Sequence, residues 1–297
     1  VDRGKEMPTQ LNPIEVSQDE VSKYSKLIRT NKYKYPLRRV VQKRKFHAFC
    51  LGTPKSGTHS VANILSNFRS YHEINDTFII AMIYLSKAGL LSDADIKREL
   101  SVRDRYNWLE MDSSHYYGQF PQQLIETFAN AKYVLTIRDC ISWIDSWFNH
   151  QLARDVQEKN SLYDLGRTNY YDRGFEYTKY DEPLRQYGLF PLASYFQFWA
   201  EHNNNVLTSI PKEQLLIIKT KELGSASTKL ASFLNIEPKE LVTEKSHSFK
   251  AKEKLNILQQ LDKSFVRDTA TQYCESINNT IFPEAKIVDA IDKMFQK

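Results

Sequence analysis

Residues 46–65 read F-H-A-F-C-L-G-T-P-K-S-G-T-H-S-V-A-N-I-L. The run Phe46–Leu51 is apolar and β-prone, and beyond Gly57 the residues Val61, Ile64, Leu65 and Phe68 recur at i, i+3, i+4 and i+7, so strand, turn and amphipathic helix are expected in that order. A turn that opens a helix presents unpaired backbone N–H groups and the positive end of the helix dipole. An anion is the ligand it suits, with Ser56, Thr58 and Ser60 adding hydroxyl donors and Lys55 a mobile charge.

Gly52 and Gly57 keep the G-x-x-x-x-G spacing of a nucleotide P-loop. In that motif a Lys after the second glycine reaches the terminal phosphates and the next Ser or Thr holds Mg²⁺. Those two positions here are Thr58 and His59, and the lysine of the turn, Lys55, precedes Gly57. The metal–nucleotide reading loses both key residues, and a different transferred group is indicated.

A second strand, turn and helix is expected further along. The run Tyr133–Ile137 ends at Arg138, and Asp139 is placed to cap a helix with Ile141, Ile144, Phe148 and Leu152 on its inward face. Ser142, Ser146 and Asn149 lie on the opposite face. Donors would thus converge at the carboxyl end of a strand, where open α/β sheets bind ligands. Taken alone, an Arg-Asp pair at a helix start is more often a structural cap; a second anion-ready strand end in the same chain is what favours a site.

Composition bounds these readings. The chain has 297 residues, 41% hydrophobic and 12% aromatic, which is enough for one large α/β domain with a sizeable core. Cys50, Cys140 and Cys274 are far apart and odd in number, against a disulfide framework or a C-x-x-C metal site. No run approaches the roughly 18 apolar residues of a membrane span, and the amino end lacks a signal-peptide pattern. A soluble cytoplasmic protein is expected, with a trimmed leader left open because the first residue is not Met. Between Val21 and His72 there are 12 Lys or Arg and no acid, leaving 29 basic against 36 acidic residues elsewhere. The cluster Lys32, Lys34, Arg38, Arg39, Lys43, Arg44 and Lys45 reads as a solvated basic arm, with steering of an anionic ligand or contact with nucleic acid as alternatives.

The loop Thr53–Thr58, together with the interval of eight between Arg138 and Ser146, resembles the sulfotransferases that use 3′-phosphoadenylyl sulfate (PAPS) as donor. A third segment is similar to theirs: Leu215–Leu223, then a helical phrase with Leu230, Phe233 and Leu234 ending at Ile236. The resemblance covers about residues 46–236. It implies a three-layer α/β fold with a central, mostly parallel sheet, a first loop that holds the 5′-phosphosulfate through Lys55, Ser56, Gly57, Thr58, His59 and Ser60, and Arg138 with Ser146 on the 3′-phosphate. It also implies PAP as product. The chain departs from the family in Cys140 after the Arg-Asp pair, in Thr220 where many members place a Tyr near the adenine, and in lacking a clear R-K-G-x-x-G segment. Thr220 is taken as the residue at the adenine, and Lys250 in the basic run Lys245–Lys254 as a replacement phosphate contact, with plain solvated charge as the alternative.

Sulfuryl transfer needs in-line attack on sulfur, removal of the acceptor's proton and stabilisation of charge on the departing phosphate. Lys55 is placed for the bridging oxygen and leaving group. No metal is required on electrostatic grounds, because the sulfuryl group carries less charge than a terminal phosphoryl, and no metal-ligand cluster is visible. His115, after the expected strand Trp108–Asp112 and 23 residues before Arg138, matches where many small-molecule sulfotransferases place a catalytic His. Asp112 or Glu110 as base, and a structural His115, are the alternatives; His72 with Glu73 is ranked below as lining for the acceptor pocket.

The acceptor is expected to be a small molecule or carbohydrate hydroxyl or amine, with no nucleic acid or membrane partner; oligomeric state is not encoded. A P-loop kinase or NTPase, and a non-catalytic anion or nucleic-acid binder, are the competing functions. Residues 1–45 form a basic amino-terminal segment and 46–297 a single domain, with 153–190 as an aromatic-rich acceptor lid or a plain packed loop. Leu192, Tyr195, Phe196 and Trp199 at helical spacing read as core. Pro121 starts a crossover helix, and closing helices are expected at 255–265 and 287–295.

Overall fold

The computed structural model describes residues 18–30, 42–153, 170–243 and 254–296. Five strands form one sheet: β1 (Ala48–Cys50), β2 (Ser70–His72), β3 (Met111–Ser113), β4 (Lys132–Ile137) and β5 (Leu215–Lys219). Their order is β2-β3-β1-β4-β5 and every pairing is parallel, with Ala48 opposite both Met111 and Lys132. From β1 the chain moves toward β2 and from β4 toward β5, so the order reverses between β1 and β4. A crevice opens at such a switch point.

Alternation along the short strands builds two cores of unequal depth. Phe49, Leu51, Tyr133, Leu135 and Ile137 face the larger one. It is closed by α1 (Gln18–Thr30), α3 (Asp76–Lys87), α4 (Asp93–Asn107), α5 (Pro121–Thr127), α6 (Cys140–Leu152), α8 (Leu192–Ser209), α10 (Lys263–Ile281) and α11 (Ile287–Phe295). Ala48, Cys50, Met111, Val134 and Ile218 face the smaller one, covered by α2 (Thr58–Ile64) and α9 (Ser227–Leu234). The expected three-layer parallel architecture is therefore present. A short α7 (Glu182–Gln186) precedes α8.

Several elements depart from expectation. The edge strand β2 and the helices α3 and α4 were not foreseen from the pattern. In α3, Phe78 through Leu85 are all buried, so no polar face marks the helix period. The closing helix expected at 255–265 instead begins at Lys263, where the Asp262 carboxylate accepts from Phe265 N–H at 2.8 Å and starts α10. Residues 258–260 form only a 3₁₀ turn. The helices expected from Pro121 and at 287–295 are found as α5 and α11. Leu192, Tyr195, Phe196 and Trp199 are core residues of α8. Among the described residues no helix is long and apolar enough to cross a membrane.

Candidate active site

The loop after β1 is shaped by what grips its carbonyls. The ring Nε2 of His202 on α8 donates to Leu51 O at 2.6 Å, Trp143 Nε1 on α6 to Pro54 O at 2.7 Å, and Ser113 Oγ at the end of β3 to Thr58 O at 2.7 Å. Thr220 Oγ1, just past β5, donates to Ser56 O at 2.5 Å and to Ile137 O at 3.1 Å. No peptide of the described chain is cis. A trans peptide sets N–H against C=O, so anchoring the carbonyls of Pro54 and Ser56 inward turns the N–H groups of Lys55 and Gly57 the opposite way. Lys55 at φ 63° and Gly57 at φ 116° make the concave bend in which such groups converge.

The glycines are sterically required. A Cβ on Gly52 would lie 1.9 Å from Thr136 Oγ1, and one on Gly57 2.2 Å from Leu223 Cδ1 at an angle that side chains rarely adopt. A backbone cradle with a half-buried lysine at its apex suits an anionic group. Not every residue that the sequence placed here offers its side chain. Ser56 Oγ is buried, donating to Thr53 O at 2.6 Å beside the Thr136 hydroxyl at 2.9 Å, and the Thr220 hydroxyl braces the loop. Ser60 is half-buried on the first turn of α2.

Arg138 emerges from β4 beside this loop, because β4 is the neighbour of β1. Asp139 caps α6, accepting from Ser142 N–H at 2.9 Å, and Ser142 Oγ accepts from Arg138 Nε at 3.0 Å. That contact aims the guanidinium along the helix face on which half-buried Ser146 follows one turn later. Arg138 has no other side-chain partner among the described residues, and burial pulls its pKa down against Asp139 and Asp145. Asn149, read with these donors, is instead buried: its amide donates to Asp145 O at 2.7 Å and its oxygen accepts from Leu255 N–H at 2.6 Å. α6 is covered on more sides than its simple apolar stripe indicates. Lys250 lies outside the described residues, as do Lys32, Lys34, Arg38 and Arg39. Of the rest of that cluster, Arg44 pairs with Asp104 at 2.6 Å and Lys45 with Glu240 at 2.5 Å.

On the other side of the loop lies a group of imidazoles and carboxylates. Thr58 Oγ1 meets His72 Nε2 at 3.0 Å, His72 Nε2 lies 3.5 Å from Glu73 Oε1, and Glu73 Oε1 bonds His115 Nδ1. The ring of His59 is 5.1 Å from that of His72. Burial holds His72 down at about 4 despite the opposing charge of Glu73. Burial also lowers His59, with Glu73 opposing and Lys55 assisting, and it raises Asp76, with Glu73 adding to the rise. A continuous polar path therefore links the cradle to His115.

The carboxylates weighed as alternative bases are engaged elsewhere. Asp112 is buried against Arg103 at 3.3 Å and accepts from the Tyr117 hydroxyl at 2.7 Å, and burial raises its pKa against the pull of Arg103. Glu110 pairs with Arg69 at 2.5 Å at the opposite end of β3. Of the lid, 154–169 lies outside the described residues, whereas Tyr170 and Tyr171 pack into the core, and the Tyr170 hydroxyl donates to His115 O at 2.9 Å. The role of Glu73 as partner of His115 was missed; no spacing in the sequence marks it.

The family model for the sulfotransferase domain matches residues 47–246. Among solved structures the chain is similar to a sulfotransferase from Alicyclobacillus acidocaldarius, at 18% identity over 78% of this chain and 95% of that one, TM-score 0.43. It is also similar to the sulfotransferase domain from the Synechococcus PCC 7002 olefin synthase, at 12% identity over 84% and 93%, TM-score 0.38. The sulfotransferase domain from the curacin biosynthetic pathway stands at 17% identity over 84% and 95%, TM-score 0.37. No curated protein matches the chain.

Proposed function

We propose that this chain, which belongs to the sulfotransferase domain family, transfers a sulfuryl group from PAPS to a hydroxyl or amine of a small-molecule or carbohydrate acceptor. The observation that carries the donor reading is the pairing of two anion-ready strand ends on adjacent parallel strands: the cradle after β1 and Arg138 after β4. One suits the 5′-phosphosulfate and the other the 3′-phosphate.

In this reading the Lys55 ammonium and the loop amides of Lys55 and Gly57 stabilise charge that develops on the departing phosphate as the S–O bond breaks. His59 and Ser60 border the same anion from α2, and Ser146 joins Arg138. Ser56 and Thr220 serve the donor indirectly, by holding the loop's shape. His115 takes the acceptor's proton as its oxygen or nitrogen attacks sulfur. Its Nδ1 faces an ionised carboxylate, which only accepts, so Nδ1 carries the hydrogen and Nε2 holds the free lone pair.

The test is nucleotide-dependent thermal stabilisation. PAP without metal is expected to raise the melting temperature, and ATP with Mg²⁺ is not. The reverse result would favour a kinase or NTPase. A screen of acceptors with PAPS, read by the mass gain of one SO₃ group, then identifies the second substrate.

A further inference from the structure

Downstream of β2 the backbone does something that no glycine explains. Glu73 stands at φ 54° and Asn75 at φ 52°. Asn tolerates that region, but for Glu it is uncommon and strained. Backbone strain of this kind persists only where the surroundings over-determine it, and it clusters at functional sites.

The surroundings here do so. Glu73 N–H donates to Ser113 O at 2.9 Å, Arg103 Nη2 to Ile74 O at 2.6 Å, and Asn75 Nδ2 to Asn107 Oδ1 at 3.0 Å. Arg103 is itself clamped by Asp112 and runs beneath the Tyr117 ring at 5.5 Å. The partner imidazole is held as firmly. The ring of His115 lies 3.9 Å from that of Tyr116, and its backbone carbonyl takes the Tyr170 hydroxyl. Both Glu73 and His115 are referenced to β3, the first through Ser113 O and the second by following Ser114, whose N–H donates to Cys50 O at 3.0 Å.

We propose that Glu73 is a positioning residue of the reaction: its carboxylate, held by the strained turn, accepts Nδ1–H of His115, fixes that tautomer and ring orientation, and so presents Nε2 to the acceptor. This rests on the reading of His115 as the base. An imidazole left to itself in water favours the other tautomer, and an acidic partner at Nδ1 reverses the preference. The strain explains why the pair is built from a turn: an ordinary extended residue after His72 would point its side chain to the opposite face of the sheet from His72.

Nitrogen-resolved histidine NMR of the whole chain at pH 8 tests the proposal without an acceptor, with His115→Gln assigning the resonance. The wild-type ring is expected as the Nδ1–H tautomer, with and without PAP. Glu73→Ala is expected to release it toward Nε2–H while PAP affinity stays within about twofold, and Glu73→Gln, which restores an acceptor oxygen, to recover part of the Nδ1–H population. With an acceptor from the screen, kcat for Glu73→Ala is expected to fall about 10- to 100-fold at unchanged KM for PAPS. A wild-type ring found as Nε2–H overturns the proposal whatever the variants do, and so does a tautomer indifferent to Glu73→Ala. Failure of PAP to bind would instead remove the donor reading and leave the tautomer result standing.

Discussion

Two turns at strand ends, 53–57 after β1 and 73–75 after β2, reach unusual backbone conformations by opposite means. The first is built around Gly52 and Gly57, where neighbouring atoms leave no room for a Cβ, and its carbonyls are gripped by side chains from four other elements. The second has no glycine, and an arginine seated on a buried carboxylate holds it in place. Local glycines permit the first, which tertiary contacts then hold, whereas the second rests on tertiary contacts alone. The first turn should therefore respond mainly through donor chemistry, the second through the integrity of its support.

The largest effect is expected where the second turn loses its support. Arg103→Met leaves Asp112 buried without its ion-pair partner, a loss of about 3–5 kcal/mol in denaturant unfolding. The Glu73 turn should loosen with it and activity should drop beyond what stability explains. Arg69→Met, which strips the pair with Glu110 at the far end of β3, gives the contrast: lower stability with the residual folded fraction fully active. Equal activity losses in the two variants would show that activity follows global stability and not the support of the second turn.

In the first turn, Lys55→Ala is expected to lower kcat about 10²- to 10³-fold, the scale of a lost donor to developing charge, with a far smaller change in stability. Steady-state kinetics beside thermal melting would show the split. A variant that melts early and loses rate in proportion would make Lys55 a structural residue.

Acid should damage both turns at once. Burial holds His202 at about 4 although its bond to Leu51 O opposes this, with the charge of Arg173 assisting; burial holds His72 there too, against Glu73. Both folded-state values are depressed below the ordinary 6.5, so between about 6.5 and 4 the unfolded chain binds more protons than the folded one. Stability is full above pH 6.5 and falls as the pH drops toward 4, by about 3 kcal/mol for the fully buried His202 at the usual energy per pH unit. Melting in a pH series should show the slope, and His202→Asn should reduce it to the share of His72.

The smallest effect is expected from Thr220→Val, which removes one hydroxyl from the Ser56 and Ile137 carbonyls: about 1 kcal/mol of stability, with a few-fold weaker affinity for PAP measured by calorimetry.

The same contrast explains what was legible in the sequence. The cradle, Arg138 with its cap and α8 could be read because each is signalled within a dozen residues by glycine spacing, a capping Asp or an apolar period, and the parallel sheet because strands and helices alternate along the chain. Buried α3 could not, since a helix apolar all round has no phase, and β2 could not, since three residues at a sheet edge leave no alternation to count. Side-chain direction was the other blind spot. Ser56, Thr220 and Asn149 are hydroxyl and amide residues in the places that sequence reasoning chose, yet their polar atoms are spent on neighbouring backbone. Which way a short polar side chain turns depends on carbonyls contributed from far along the chain. The same holds for Asp112, a carboxylate near the site that belongs to Arg103.

The grip on the first loop also bears on how the molecule assembles. The residues that hold the carbonyls of Leu51 to Thr58 come from positions 113, 143, 202 and 220, so the cradle closes through contacts spanning well over half the chain. Contacts of such sequence separation form late, because long loops must close before they reward the chain. Anion binding then becomes a property of the finished fold alone: a nascent or partly folded chain exposes the same glycines but has no cradle, and capture of PAP during refolding would time the last step of folding rather than the first.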